Sequence, residues 1–274
     1  MRNLTANILQ LSITLSLLGS QPMAINAWSQ PGKFELVSSL PMKGALLSSD
    51  KLQNAYVITE RHDIVKISPV GKILFSNNIK SLGPVGSIST SNPLKILVYY
   101  PEFATIVLLD NTLSQTSRVN LMELGAPLVS AACLALDNNI WIYDQTSYKL
   151  KKIDDKLKVL AESDDLNALT GIPVKGVFLL EADNQIFLSD PEYGVLVFDS
   201  YGTYSGTIPL KGLHKFQKIN DQLVYCTGQS LYSYNLFTFT TLSYALPDSS
   251  VRDAVIEKNR LFVLTPEYLN VYSH

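Results

Sequence analysis

Cysteine, histidine and arginine are what this chain has least of, and each scarcity closes off some chemistry. Among 274 residues there are 2 cysteines and 3 histidines. Cys133 and Cys226 fall in different repeats, so they read as small buried hydrophobes rather than as a disulfide. With no histidine or further cysteine near either, they make no metal site. Arginine is confined to Arg2, Arg61, Arg118, Arg252 and Arg260, too few to cluster on a carboxylate substrate. The formal net charge is −2 and 17% of residues are charged. That balance gives neither a basic footprint for nucleic acid nor the acidic excess of a disordered chain. A glycine-rich phosphate loop and an ordered Ser/His/Asp set are also missing, and no cofactor is expected.

No apolar run is long enough to cross a membrane. The longest, Ile8 to Leu18, follows the single positive charge of Arg2, the pattern of a signal peptide. Ala27 and Ser29 put small residues at the −3 and −1 positions for cleavage before Gln30; cleavage after Ala27 is the alternative. Residues 1–29 are therefore expected to be removed, leaving 30–274 as an exported, soluble chain in the periplasm or outside the cell.

What the chain does have is repetition. The stretch Asp183 to Tyr204 (DNQIFLSDPEYGVLVFDSYGTY) holds two alternating runs and the start of a third, separated by turn residues, an antiparallel meander. Paired runs of the same kind close on Ser68, Asp110, Asp154, Asp199, Asn235 and Ser273, a period of roughly 40 residues that belongs to propeller blades. A further run precedes each pair and opens mostly on small residues such as Gly44, Gly86, Ser130 and Gly176, as crowding about a central axis requires. The last copy lacks an outer strand, and the orphan run 33–39 is the natural donor. The expected fold is all-β, a six-bladed β-propeller with the N-terminal strand closing the last blade. A β-sandwich also consists of short strands but does not need six copies of one signature. No helix is expected; residues 157–169 have some helical spacing but fall where an outer strand and a long loop belong.

The segments NNIWIYDQTSYKLKKID, DNQIFLSDPEYGVLVFDSYGTY and NRLFVLTPEYLNVY resemble NHL-type six-bladed propellers, in particular the exported propeller proteins of Bacteroidota. The resemblance covers nearly all of the mature chain and implies the fold; propellers host binding, scaffolding and catalysis alike. Catalytic members need features missing here. Sialidase-like chemistry needs clustered arginines, and a zinc-dependent lyase of the NHL class needs several histidines. Lactonase-type metal sites need acidic residues converging on the axis, whereas here Glu181 and Glu257 stand only at the far ends of inner strands.

Two groups of residues are the candidate binding sites. One is a recurring tripeptide, Pro101-Glu102-Phe103, Pro191-Glu192-Tyr193 and Pro266-Glu267-Tyr268, always between the second and third strands of a blade. It makes Glu102, Glu192, Tyr193, Glu267 and Tyr268 parts of a shared rim, or else serves as a turn with proline pre-setting φ. The other group stands at the starts of the inner strands: Lys43, Lys175, His214, Lys215, Arg252 and Asp253. Placed around one mouth of the channel, it would focus anions, with Asp253 as an internal counter-ion. Paired loop charges, Arg252 with Asp253, are the plainer interpretation.

The expected function is a non-catalytic protein-binding or scaffolding module of the cell envelope, acting as a monomer on another envelope or secreted protein through the face that carries the Pro-Glu-aromatic turns, with no nucleic acid and no membrane span after leader removal. The alternative is a hydrolase or lyase acting on a small anionic substrate at one mouth of the axial channel.

Overall fold

The computed structural model describes residues 34–274. The signal peptide and its cleavage site lie outside the described residues, as does Lys33.

Six four-stranded antiparallel sheets stand in a ring, five of them blades of consecutive strands and the sixth joining the two ends of the described chain. The chain enters through β1 (Glu35–Pro41) and then builds blade 1 from β2 (Gly44–Ser49), β3 (Ala55–Thr59), β4 (Ile64–Ile67) and β5 (Ile73–Asn77). Blade 2 is β6 (Ser87–Asn92), β7 (Lys95–Tyr100), β8 (Thr105–Asp110) and β9 (Gln115–Asn120). Blade 3 is β10 (Val129–Leu134), β11 (Ile140–Asp144), β12 (Lys149–Ile153) and β13 (Val159–Glu162). Blade 4 is β14 (Phe178–Ala182), β15 (Gln185–Asp190), β16 (Gly194–Asp199) and β17 (Tyr204–Ile208). Blade 5 is β18 (Gln217–Ile219), β19 (Gln222–Thr227), β20 (Ser230–Asn235) and β21 (Thr241–Ala245). Blade 6 takes β22 (Asp253–Glu257), β23 (Arg260–Leu264) and β24 (Tyr268–Ser273) from the end of the chain, and β1 from its beginning.

The closing strand pairs with β24 from Glu35 opposite Ser273 to Pro41 opposite Tyr268. The expected run is 33–39; the strand observed starts at Glu35 and ends two residues beyond that run, at Pro41. A bulge between Leu36 and Ser38 lets it follow the twist of the blade.

Second strands are continuous apolar runs because a neighbouring blade covers each of their faces. Ile96–Tyr100 and Ile140–Tyr143 are all buried. The core is accordingly a series of wedges between blades: Ile58, Tyr56 and Val98 between blades 1 and 2, and Trp141, Leu188 and Phe198 between blades 3 and 4. Outer strands such as β5 and β21 remain largely exposed.

Inner strands of adjacent blades are not paired into one sheet, so side chains stitch them together. Ser48 Oγ lies 2.8 Å from Thr90 Oγ1, Ser89 Oγ accepts from Leu134 N at 3.2 Å, and Ser130 Oγ donates to Gly176 O at 2.5 Å. Gln217 imitates a strand with its amide: Nε2 donates to Ile256 O at 3.0 Å and Oε1 accepts from Ile256 N at 3.0 Å.

One correction concerns helix. The connection after β13 contains α1 (Leu166–Thr170), a short helix the sequence reading excluded. Asp165 caps it, accepting from Asn167 N at 2.8 Å, Leu166 is fully buried, and Gly171 ends it at φ 73°. Tertiary burial of one leucine and a good cap stabilise a turn too short to show as a periodic pattern.

Candidate functional site

Strand order sends connections alternately to two faces. The upper face carries the second-to-third turns and the links between blades; the lower face carries the first-to-second and third-to-fourth turns. Both sequence-derived groups therefore belong to the upper face, and the structure brings them together in pairs. Lys43 Nζ meets Glu267 Oε1 at 3.1 Å, and Lys175 Nζ meets Glu192 Oε1 at 3.2 Å. All four side chains are more than half exposed, so these are weak, screened pairs. Glu102 stays apart from the lysines and lies against Gly83, where a Cβ would come within 2.4 Å of its Oε2. Phe103 and Tyr268 are exposed, whereas Tyr193 packs on the core between blades 3 and 4.

The Pro-Glu-Tyr turn of blade 4 is organised by a residue that sequence reasoning passed over. Asp190 is 1% exposed. Its Oδ1 accepts from Glu192 N at 2.8 Å and Tyr193 N at 3.1 Å, and its Oδ2 from Lys175 N at 2.7 Å. The available signal was the dipeptide Asp-Pro, which favours turn initiation.

His214, Lys215, Arg252 and Asp253 do converge, on a cleft of ≈ 370 Å³ between blades 5 and 6 that Tyr225 and Cys226 also line. Lys43 and Lys175 are not among its walls. The expected Arg252–Asp253 pair is replaced by two others. Lys215 pairs with Asp253 and donates to Leu47 O at 2.5 Å, reaching from blade 5 past blade 6 to blade 1. Arg252 Nη1 donates to Glu60 Oε1 at 2.6 Å and to Gly44 O at 3.1 Å. The hydrogen bond from Arg252 holds the Glu60 carboxyl below its ordinary value. The cationic mouth is thus neutralised by Glu60, Glu192, Asp253 and Glu267, of which Glu60 gave no signal in sequence. Burial first, then Asp253, push the Cys226 thiol up to about 11, so it is a poor nucleophile at neutral pH.

An axial cavity of ≈ 910 Å³ is walled by the inner strands of the blades, with His214 and Lys215 at its upper end and Glu181 and Glu257 toward its lower end. Among the described residues no group of three or more His, Cys, Asp or Glu is placed to hold a metal ion.

Among the described residues, the lower face carries the most exposed aromatics. Tyr201 is 76% exposed, and Phe237 and Phe239 are each 73% exposed, all in third-to-fourth turns of the neighbouring blades 4 and 5. These turns are fixed rather than loose. Asp199 Oδ1 accepts from Tyr201 N at 2.9 Å, and Asn235 Oδ1 accepts from Phe237 N and Thr238 N at 2.9 Å. Phe239 has φ 57°, a left-handed conformation in which a bulky side chain is a strained outlier. The left-handed residue of the corresponding turn is Gly71 in blade 1 and Gly202 in blade 4, but Leu113 in blade 2 and Leu157 in blade 3, whose side chains pack on the core.

No family model and no curated protein sequence matches the chain. Among solved structures it is similar to a catalytically inactive histidine-to-alanine variant of virginiamycin B lyase from Staphylococcus aureus with quinupristin, at 12% identity and TM-score 0.63 over 88% of this chain and 100% of that one. It is also similar to BBS1N in complex with ARL6DN, at 10% identity and TM-score 0.58 over 89% and 97% of the two chains. A third likeness is to a protein of unknown function from Bacteroides caccae, at 12% identity and TM-score 0.53 over 83% and 82%. At these identities what is shared is the fold, a six-bladed β-propeller.

Proposed function

We propose that this protein is an exported, non-catalytic propeller of the cell envelope that binds another protein as a monomer. The carrying observation is Phe239. It is held at φ 57° and left 73% exposed, next to Phe237 and one blade from Tyr201. The turn's own hydrogen bonds hold this backbone, but where Leu113 and Leu157 take the same place in blades 2 and 3 their side chains pack on the core, whereas the Phe239 ring is left in solvent. Exposed aromatics on fixed turns are the side chains that anchor protein interfaces. The Pro-Glu-aromatic face is the second surface available, through Phe103 at 52% and Tyr268 at 46% exposure. The pairing of Lys175, Lys215 and Arg252 with carboxylates weighs against an anion-processing enzyme at the upper mouth. The NHL-like character and the export of the chain rest on the sequence signatures above.

Affinity capture from envelope extracts, run beside a turnover screen on an ester and lactone library, separates the two functions. A stoichiometric partner without turnover is the expected result. Turnover with no partner recovered overturns the binding reading.

A further inference from the structure

The axial cavity contains a charge that the fold does not use. Glu181, on β14, is only 4% exposed and lines the cavity. Its Oε2 accepts from Leu136 N at 2.8 Å, a stitch between blades 3 and 4. That is the one hydrogen bond of its side chain, and among the described residues no lysine, arginine or histidine pairs with it. Lys218, on the neighbouring blade, is turned instead to Asp183 at 2.9 Å and to Asn220 O. Lys215 is committed to Asp253 and Leu47 O.

The stitch needs an acceptor, not a charge. The hydroxyl of Ser89 makes the corresponding bond to Leu134 N, and the neutral amide of Gln217 makes it to Ile256 N. A buried carboxylate without a counter-ion is costly, and in a cavity wall it marks the place where a cation belongs. A second carboxyl on the same wall points the same way. The Glu257 side chain, at the end of β22, makes no hydrogen bond to a described residue. Burial also pushes the Glu257 carboxyl up. The remaining wall is mixed: Phe178, Leu180, Phe216 and Val255 give it an apolar stretch, while Lys51, Lys215, Lys218 and Lys258 also line it, Lys215 and Lys218 being paired with Asp253 and Asp183. A volume of ≈ 910 Å³ suits an organic molecule rather than a bare ion.

We propose that the axial cavity binds a small organic ammonium ion, its nitrogen on the Glu181 carboxylate and its apolar body against Phe178, Leu180 and Phe216. This goes beyond protein binding at the lower face, and either stands without the other.

The test is isothermal titration of the full chain at neutral pH with 2-phenylethylamine, with agmatine, and with 2-phenylethanol, the uncharged counterpart of the first. Glu181→Gln is the chosen variant because it keeps an acceptor for Leu136 N and removes only the charge. At least one amine is expected to bind saturably, with 2-phenylethanol weaker by about tenfold or more than 2-phenylethylamine if that is the amine bound. Glu181→Gln should weaken the bound amine by about tenfold or more while melting at or above the parent temperature. The amine-against-alcohol comparison on the parent stands even if the variant folds poorly. The inference is overturned if neither amine saturates, if the alcohol binds as tightly as its amine, or if a folded Glu181→Gln binds the amine like the parent.

Discussion

Lys43 Nζ stands 3.1 Å from Glu267 Oε1, joining the loop that opens blade 1 to a turn of blade 6 at the seam where the ring closes. Both side chains are about 60% exposed, so the pair contributes little, within about 1 kcal/mol. Backbone holds the seam. Beside the pair, Met42 N donates to Glu267 O at 2.8 Å and Ser39 Oγ donates to Asn270 Oδ1 at 2.6 Å. Gly71 admits β1 at close range, since a Cβ there would come within 2.3 Å of Ser38 Oγ.

Deleting residues 35–41 should therefore open the ring and bare the edge of β24. The deletion variant is expected to aggregate on gel filtration or to melt more than about 10 °C below the parent, whereas Lys43→Ala should shift the midpoint by no more than about 3 °C. A deletion variant that melts with the parent would show that β1 is not a structural strand.

Asp50 is 1% exposed and serves several donors at once. Its Oδ1 accepts from Leu52 N at 2.9 Å and Asn54 N at 3.0 Å; its Oδ2 accepts from the Tyr56 hydroxyl at 2.8 Å and Asn54 Nδ2 at 3.0 Å. Removing the acceptor strands a buried hydroxyl and two amides, so Asp50→Ala should cost on the order of 3 kcal/mol. Asp199→Ala removes the acceptor of two amides, Tyr201 N and Thr203 N, in an exposed turn where water replaces it, and should cost about 1 kcal/mol. Urea midpoints of the two variants decide the matter; equal losses would mean that burial is not what makes Asp50 important.

Glu257 gives a pH signature. Burial raises its carboxyl above the ordinary 4.5, so the folded chain holds that proton more tightly than the unfolded one. Below the ordinary value both states are protonated and the group is neutral in its effect. As pH rises through the ordinary and then the raised value, ionisation favours the unfolded chain and stability is lost. Glu257→Gln should then match the parent near pH 3.5 and melt above it at pH 7 to 8. A constant offset at every pH, or a loss at pH 8, would contradict the assignment.

The blades were legible in the sequence because one local need recurs in each. Asp110, Asp154 and Asp199 each use Oδ1 to accept two amides of the third-to-fourth turn, such as Thr112 N at 2.8 Å and Ser114 N at 2.9 Å for Asp110. Asn235 and Ser68 do related work in their blades. A turn that needs the same side chain in every copy leaves a period behind. The site was less legible. That Lys43 and Lys175 share a face with Glu267 and Glu192 followed from strand direction. That Arg252 chooses Glu60, or that Lys215 spans to Leu47, depends on side chains crossing between blades far apart in sequence, which no periodicity records. The exposed Phe237 and Phe239 look in sequence like ordinary strand residues; their exposure follows from a turn in which Phe239 N bonds Asn235 O at 3.0 Å.

The measurement that bears most directly on the binding function is quantitative capture by the parent and by Phe239→Gly, with the melting temperature of each bait recorded alongside. Glycine relieves the left-handed strain at φ 57°, so the variant should be more stable, by on the order of 1 kcal/mol. Losing an anchoring ring should at the same time lower the yield of the envelope partner, with affinity down by about tenfold or more. A more stable bait that captures less partner is the predicted result. A Phe239→Gly bait that is more stable and captures the partner as well as the parent would contradict the assignment of the lower face as the binding surface.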